Sequence, residues 1–440
     1  MKQKTTPQAT VSHVCEEARH VLRQVAKKAG ESSGFVKRES KLDGAGFVQT
    51  LVLGWMSNPR AGPTELSQTA ASLDVRISPQ GLDQRFSSEG AECIRQTLSA
   101  AVRSRMQMHT ASAGILSRFN GVYVRDSTII NLPTELAKVS PGCGGSERMT
   151  KAALKVQLQY DLKQGEITDF LPQAGRTQDR NAACQHTVLP AGALRLADLG
   201  YFSLPVLAEQ PDVYNLMRLQ ANVIVYDAAG SARQVDQFLL HCGSDEIDAA
   251  VFIGNSQHLP CRLLARRAPP DVSQQRRRRL KERAHKKGTT LSPTTLALAD
   301  WIVFITDVPL DLLSLAEAFI VARCRWQIEL IFKLWKSHGH IDKWTTINPW
   351  RIWCEVYAKL LIMLIQHWLF LMCQLCDLDR SFIKAAQTLR KFALALASTL
   401  SSPSRFCLIL QSIKSCLSQG CSLNRSVKHP RTFQLLEKLA

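Results

Sequence analysis

The stretch VARCRWQIELIFKLWK, Val321–Lys336, decides how the rest of the chain is read. Most of its residues are good helix formers, and neither Gly nor Pro occurs from Ala316 to Ser337. At about 3.6 residues per turn, Arg325, Glu329 and Lys336 fall within about 40° of one another around the axis. Lys333 lies about 40° further round on the same side. Ile328, Ile331 and Trp335 point the other way, as a buried face requires. One carboxylate is thus flanked by cations. Taken alone, this is also the pattern of an amphipathic helix laced with i,i+4 ion pairs.

The company of the helix narrows the choice. GVYVRDSTIINLP (Gly121–Pro133) is a β-rich run with Asp126 in its middle. ALRLADLGYF (Ala193–Phe202) is a second apolar run, with Asp198 towards its end. An Asp inside a strand-like apolar run is costly unless it is paired or binds a metal. Two such residues and a helical Glu are what a two-metal phosphoryl-transfer site requires. Structural acids are the alternative reading of Asp126 and Asp198.

Arg-x-x-x-Glu-x-x-x-x-x-x-Lys (Arg325, Glu329, Lys336), preceded by Asp198, Gly200 and Tyr201 in Asp-x-Gly-Tyr, resembles the DDE transposases of bacterial insertion sequences. Within them it is most similar to insertion-sequence family four, whose signature is Tyr-x-x-Arg-x-x-x-Glu-x-x-x-x-x-x-Lys. One position departs: Ala322 stands where that signature has Tyr. The resemblance covers about residues 35–375 in the order and kind of element. It implies Asp126, Asp198 and Glu329 as catalytic, metal-ligating residues holding two Mg²⁺ ions, with Mn²⁺ able to substitute. Hard oxygen donors suit those ions better than zinc. Arg325 and Lys336 would grip phosphates at the transposon end, with Lys333 beside them. The resemblance also implies a homodimer cutting two paired ends in trans, and joining through a hairpin. Trp301, 28 residues before Glu329, resembles the aromatic that receives a flipped base. Its neighbours Ile302, Val303 and Phe304 equally suit a core position.

Composition agrees with a nucleic-acid partner. Lys and Arg number 55 against 37 Asp and Glu, a net charge of +18 and a pI near 9.5. That balance suits a polyanion, here double-stranded DNA. The densest basic run, QQRRRRLKERAHKK (Gln274–Lys287), holds Arg276, Arg277, Arg278 and Arg279. It reads as a phosphate-contacting helix, since so many like charges repel without a counter-surface. A solvated face is the alternative. The 13 cysteines form no framework, and the only CxxC, Cys373 and Cys376, has no second pair. Free thiols in a reducing bacterial cytoplasm, beside the nucleoid, are therefore expected rather than zinc. No secretory pattern opens the chain. Leu360–Cys376, the most apolar run, is interrupted by Gln366 and His367. It reads as a core helix, with no membrane partner.

These readings give an α/β (α+β) fold: an RNase H-like mixed sheet with a mostly β insertion, flanked by helical regions. Residues 1–112 form a helical DNA-binding region. Thr64–Leu73 and a helix opened by Ser78-Pro79 suit a helix-turn-helix there. Residues 113–205 are the first part of the catalytic core, with strands at Val122–Leu132, Leu154–Leu162 and Gly165–Leu171 and a helix over about Asp179–Pro190. Residues 206–300 are the insertion, with short strands at Val213–Ile224, Gln237–Leu240, Ala249–Ile253 and Cys261–Ala265. Residues 301–345 complete the core. Residues 346–440 are helical, end in a Ser- and Cys-rich tail, and offer a dimer interface.

Three functions share these features. A transposase cuts and joins; a nuclease of the same fold uses the triad without strand transfer; a basic DNA-binding regulator needs no triad.

Overall fold

Alternating apolar positions build ten strands: β1 Val122–Leu132, β2 Ala152–Asp161, β3 Ile167–Ala174, β4 Leu194–Ala197, β5 Tyr214–Arg218, β6 Ile224–Tyr226, β7 Ala232–Gln234, β8 Glu246–Ile253, β9 Leu259–Arg267 and β10 Trp301–Thr306. They follow the sheet order β3-β2-β1-β4-β5-β10-β9-β8-β6-β7 in the computed structural model. The structure describes residues 7–38, 41–108, 114–143, 151–256, 258–375 and 378–439. Cys376 lies outside them. The sheet is mixed: β1, β4 and β5 run parallel, and β10 returns antiparallel to β5. With helices before and after it, this is the α/β RNase H-like class expected.

The chain divides into two units. The first comprises Met1–Ser112, Ser127–Thr177 and Gln327–Phe433. Its core is the helix Pro349–Met372, which packs on Gly44–Ser57 and Ser88–Arg103. That helix is long and apolar enough to cross a membrane, yet 94% of its apolar window is buried inside the fold. Lys359, in the middle of this helix and 1% exposed, pairs with Glu355 at 2.6 Å and donates to the His340 carbonyl at 2.8 Å. Ser78 caps the short helix Pro79–Asp83 as expected, its hydroxyl accepting from the Gly81 amide. The preceding helix, expected over Thr64–Leu73, is Pro63–Ala71 with Gly62 at its N-cap. The Ser- and Cys-rich tail is largely helical. Pro403–Gly420 forms a helix that buries Phe406, Leu410, Ile413 and Leu417 at helical spacing.

The second unit comprises Ala113–Asp126, Gln178–Trp326 and Gln434–Ala440. One face of its strands buries Ala197, Met217, Val225, Leu263, Trp301 and Ile305 in a common core. Three expectations fail here, the first being Val213–Ile224, which is not one strand but β5 and the start of β6 with a turn between them. Gln237–Leu240 is not a strand but part of the helix Val235–Cys242, which buries Val235, Phe238 and Leu239 with the i, i+3, i+4 spacing of a helix. Asp179–Pro190 forms two short 3₁₀ turns, Asp179–Asn181 and Ala183–His186, instead of one α-helix. Buried Arg125, 60 residues earlier in sequence, donates to the carbonyls of Gln185 at 3.0 Å and Thr187 at 3.4 Å, which a helix would use for its own bonds. Every described cysteine is a free thiol.

Candidate active site

Parallel pairing sets the first two acids side by side. Tyr123 is opposite Arg195, and Arg125 is opposite Ala197. Asp126 follows Arg125 within β1, and Asp198 follows Ala197 directly beyond the end of β4. Side chains alternate, so both acids occupy the face opposite Arg125 and Ala197. Asp198 keeps an extended backbone, and its carbonyl accepts from the Tyr201 amide at 3.0 Å to begin a 3₁₀ turn.

The third block follows a capping box at Ser314 and Glu317, which starts the helix Leu315–Val321. The run tightens to a 3₁₀ segment at Ala322–Arg325 and continues as the α-helix Trp326–Ser337. The expected single α-helix is thus a helical run with a 3₁₀ link. Arg325 donates from Nη1 to Oδ2 of Asp126 at 3.4 Å, with both side chains about one-fifth exposed. Glu329 lies one turn further along and is half-buried, while Ile328, Ile331 and Trp335 are buried as their spacing requires. Lys333 is exposed. Lys336 is half-buried; burial lowers its ammonium below the usual range, and Asp342 opposes that shift.

Trp301 sits elsewhere. It is 7% exposed and belongs to the core of the second unit. Through the pairings of β10 with β5 and β5 with β4, it occupies the sheet face opposite Asp126 and Asp198. The Arg267 guanidinium covers its ring at 4.6 Å. This burial supports packing rather than base stacking. The basic run forms the helix Pro270–Lys287. Arg276 donates to the Trp301 carbonyl at 3.0 Å, and burial lowers its pKa below the usual range, with Arg218 adding to the shift. Arg277 pairs with Asp300. Arg278, exposed, pairs with Glu282 at 2.9 Å, and Arg279 is exposed.

Several positions were missed. Arg125 and Arg195 are fully buried on the face behind the two acids. Burial lowers the Arg195 pKa to about 10. Asp307, whose carboxyl is raised by burial, accepts from the Asn215 amide nitrogens at 2.5 and 2.7 Å. Arg118 and Arg262 hold the loop before the helical run. Arg118 donates to Leu312 O at 3.0 Å; Arg262 donates to Val308 O and Leu313 O, each at 2.8 Å. The available signal was an Arg inside an apolar run, the same anomaly that marks the acids.

Among the described residues, no group of three or more His, Cys, Asp or Glu gathers as a preformed metal cluster. The donor chemistry nonetheless suits a hard divalent cation. One carboxylate stands in β1 and another just beyond the end of β4, with neither thiolate nor imidazole in the motif.

A family model for the transposase DDE domain matches residues 118–365. The chain is 30% identical to the transposase for insertion sequence element IS231C of Bacillus thuringiensis subsp. berliner, over 79% of this chain and 77% of that protein. It is 25% identical to the transposase for IS1151 of Clostridium perfringens, over 77% and 76% respectively. Half of the chain, and 60% of the relative, aligns at 28% identity with the putative transposase InsL for IS186A of Escherichia coli (strain K12).

Proposed function

The chain belongs to the DDE-domain transposases, enzymes that cleave and transfer DNA, and we propose that Asp126, Asp198 and Glu329 carry its chemistry. The observation that supports this most is the parallel register that sets Arg125 beside Ala197, the residues just before the two acids, with Arg325 against Asp126. Under this reading the three carboxylates hold two Mg²⁺ ions, and Mn²⁺ substitutes. Bound there, such ions supply charge stabilisation at the phosphoryl oxygens and acidify the attacking oxygen.

The chain's own cations do the rest. Arg325, held near the site by Asp126, presents a planar fork that suits a phosphate. Lys336 gains most from an anion, because burial disfavours its charge. Lys333 adds an exposed positive charge on the same helix. Ala322 offers no hydroxyl at its position, so Arg325 and Lys336 carry that phosphate grip without it.

The substrate is the double-stranded DNA of an insertion sequence's ends, joined to target DNA, in the cytoplasm beside the nucleoid. The active species is a homodimer on two ends. Leu394 and Leu408, 51% and 59% exposed on the C-terminal helices, supply apolar surface for it. A hairpin at the excised end is the intermediate this reading carries. The experiment is to incubate the protein with Mg²⁺ and a plasmid carrying its flanking element ends, then sequence the products. Cuts at the ends with joining to new DNA support the proposal. Cuts without joining favour a nuclease, and binding without cuts favours a regulator.

A further inference from the structure

The helix bearing Glu329 and Lys336 ends at Ser337, and a tight turn follows it. The amides of His338 and Gly339 donate to Leu334 O at 2.9 and 3.1 Å, and the Ile341 amide donates to Trp335 O at 3.3 Å. His340 has φ +47°, a left-handed backbone uncommon for a residue with a side chain. A Cβ at Gly339 would stand 1.9 Å from Met363 Cε and 2.7 Å from Trp335 O, so only glycine fits there. The carbonyls of the turn itself are taken by two cations from other helices. Lys359 in Pro349–Met372 donates to His340 O at 2.8 Å, and Arg390 in Phe382–Thr399 donates to His338 O. Glu355, Lys359 and Met363 succeed one another at i,i+4, so the stripe that supplies the ammonium also packs on Gly339. The same ammonium lies 5.7 Å from the centre of the Trp344 ring, and Trp344 Nε1 donates to Asn131 O of β1 at 2.7 Å.

Stability alone does not account for this lysine. It is 1% exposed, and its partner Glu355 is 5% exposed. Burial lowers the Lys359 ammonium below its usual range and raises the Glu355 carboxyl above its own, against the attraction between them. A buried ion pair is often neutral or unfavourable beside well-packed apolar side chains of similar volume. What an apolar pair lacks is a donor for the turn. Resting on the assignment of Glu329 and Lys336 above, we propose that Lys359 and Arg390 are positioning residues for the reaction. By holding the carbonyls of His340 and His338 they fix the C-terminal end of the helix, and with it the carboxylate and the ammonium that the helix presents.

The test replaces the pair as a unit in the full-length protein, Glu355→Met with Lys359→Met, so that no buried charge is left alone. Melting should be unchanged or raised, while kcat for Mg²⁺-dependent cleavage of element ends falls about tenfold. The Mg²⁺ concentration for half-maximal cleavage should rise about tenfold, with affinity for the same DNA within about twofold of the parent. Arg390→Met should act in the same direction and Arg390→Lys should keep most of the activity; both cover a double variant that folds poorly. A second readout needs neither metal nor DNA. Hydrogen exchange at the His338 and Gly339 amides should quicken about tenfold in the double variant, with the amides of Pro349–Met372 unchanged. Cleavage at the parent's rate and Mg²⁺ requirement in these variants, or unchanged exchange at the turn, would overturn the proposal. So would losses that only follow the melting temperature, which is what a packing role gives. Failure of the catalytic reading is seen separately, as absence of cleavage in the parent while exchange at the turn still responds.

Discussion

Arg325 donates to Asp126 at 3.4 Å, joining the motif block around the signature Glu to the strand that bears the first acid. The two residues are 199 positions apart in sequence. On the proposed assignment, the contact gives Arg325 two duties: it partners a carboxylate and it keeps a guanidinium beside the reacting face. Arg325→Ala should lower kcat/KM for end cleavage about 10–100-fold, with stability changed by no more than about 1 kcal/mol for a partly exposed pair. Arg325→Lys should recover part of the binding but not the two-pronged phosphate contact. A fully active alanine variant would remove Arg325 from the site.

The basic helix divides into two kinds of arginine. Arg278 and Arg279 face solvent, so the double change to Gln should reduce the slope of log K against log salt by about 2, with melting unaffected. Arg276 is folded onto the Trp301 carbonyl. Arg276→Ala should instead destabilise the fold by about 1–2 kcal/mol. Equal effects of both changes on the salt slope would contradict this division.

Trp301→Ala should cost about 3–5 kcal/mol, because a large side chain leaves a close-packed core. Every activity should fall together with the melting temperature. Normal melting with a selective loss of one DNA product would restore a role in base stacking.

How far the sequence reaches is visible in these residues. The strand that carries Asp126, the one that ends just before Asp198, and the buried face at Ile328, Ile331 and Trp335 were legible, because each rests on local periodicity. The Val235–Cys242 helix was not, since the four residues Gln237–Leu240 taken alone are too few to show the helical spacing that Val235 completes. The Asp179–Pro190 segment depended on Arg125, a distant partner that takes the carbonyls a helix would use. Trp301 has the same local sequence whether it packs or binds. Only the pairing of β10 with β5 sets its face.

Burial holds the imidazole of His367 neutral, at a pKa of about 4, although its hydrogen bond to the Gly165 carbonyl (2.7 Å) pulls the other way. The unfolded chain takes up this proton below about 6.5, and the folded chain only below about 4. Stability from this group is therefore complete above pH 6.5 and lost as pH falls towards 4, by about 3 kcal/mol. His367→Gln keeps a donor for Gly165 and removes the titration. Denaturant melts at pH 7.5 and 4.5 should show a smaller acid loss in the variant; equal losses would show that His367 is not the group responsible.

The central claim is that one carboxylate site on Asp126, Asp198 and Glu329 serves both cutting and joining. The direct measurement compares the parent with Asp126→Asn, Asp198→Asn and Glu329→Gln for Mg²⁺-dependent cleavage of element ends, beside binding to the same DNA. Each substitution should abolish cleavage and strand transfer together while binding persists, since removing a carboxylate removes repulsion towards phosphate. Near-normal cleavage by any one of the three variants would contradict the account.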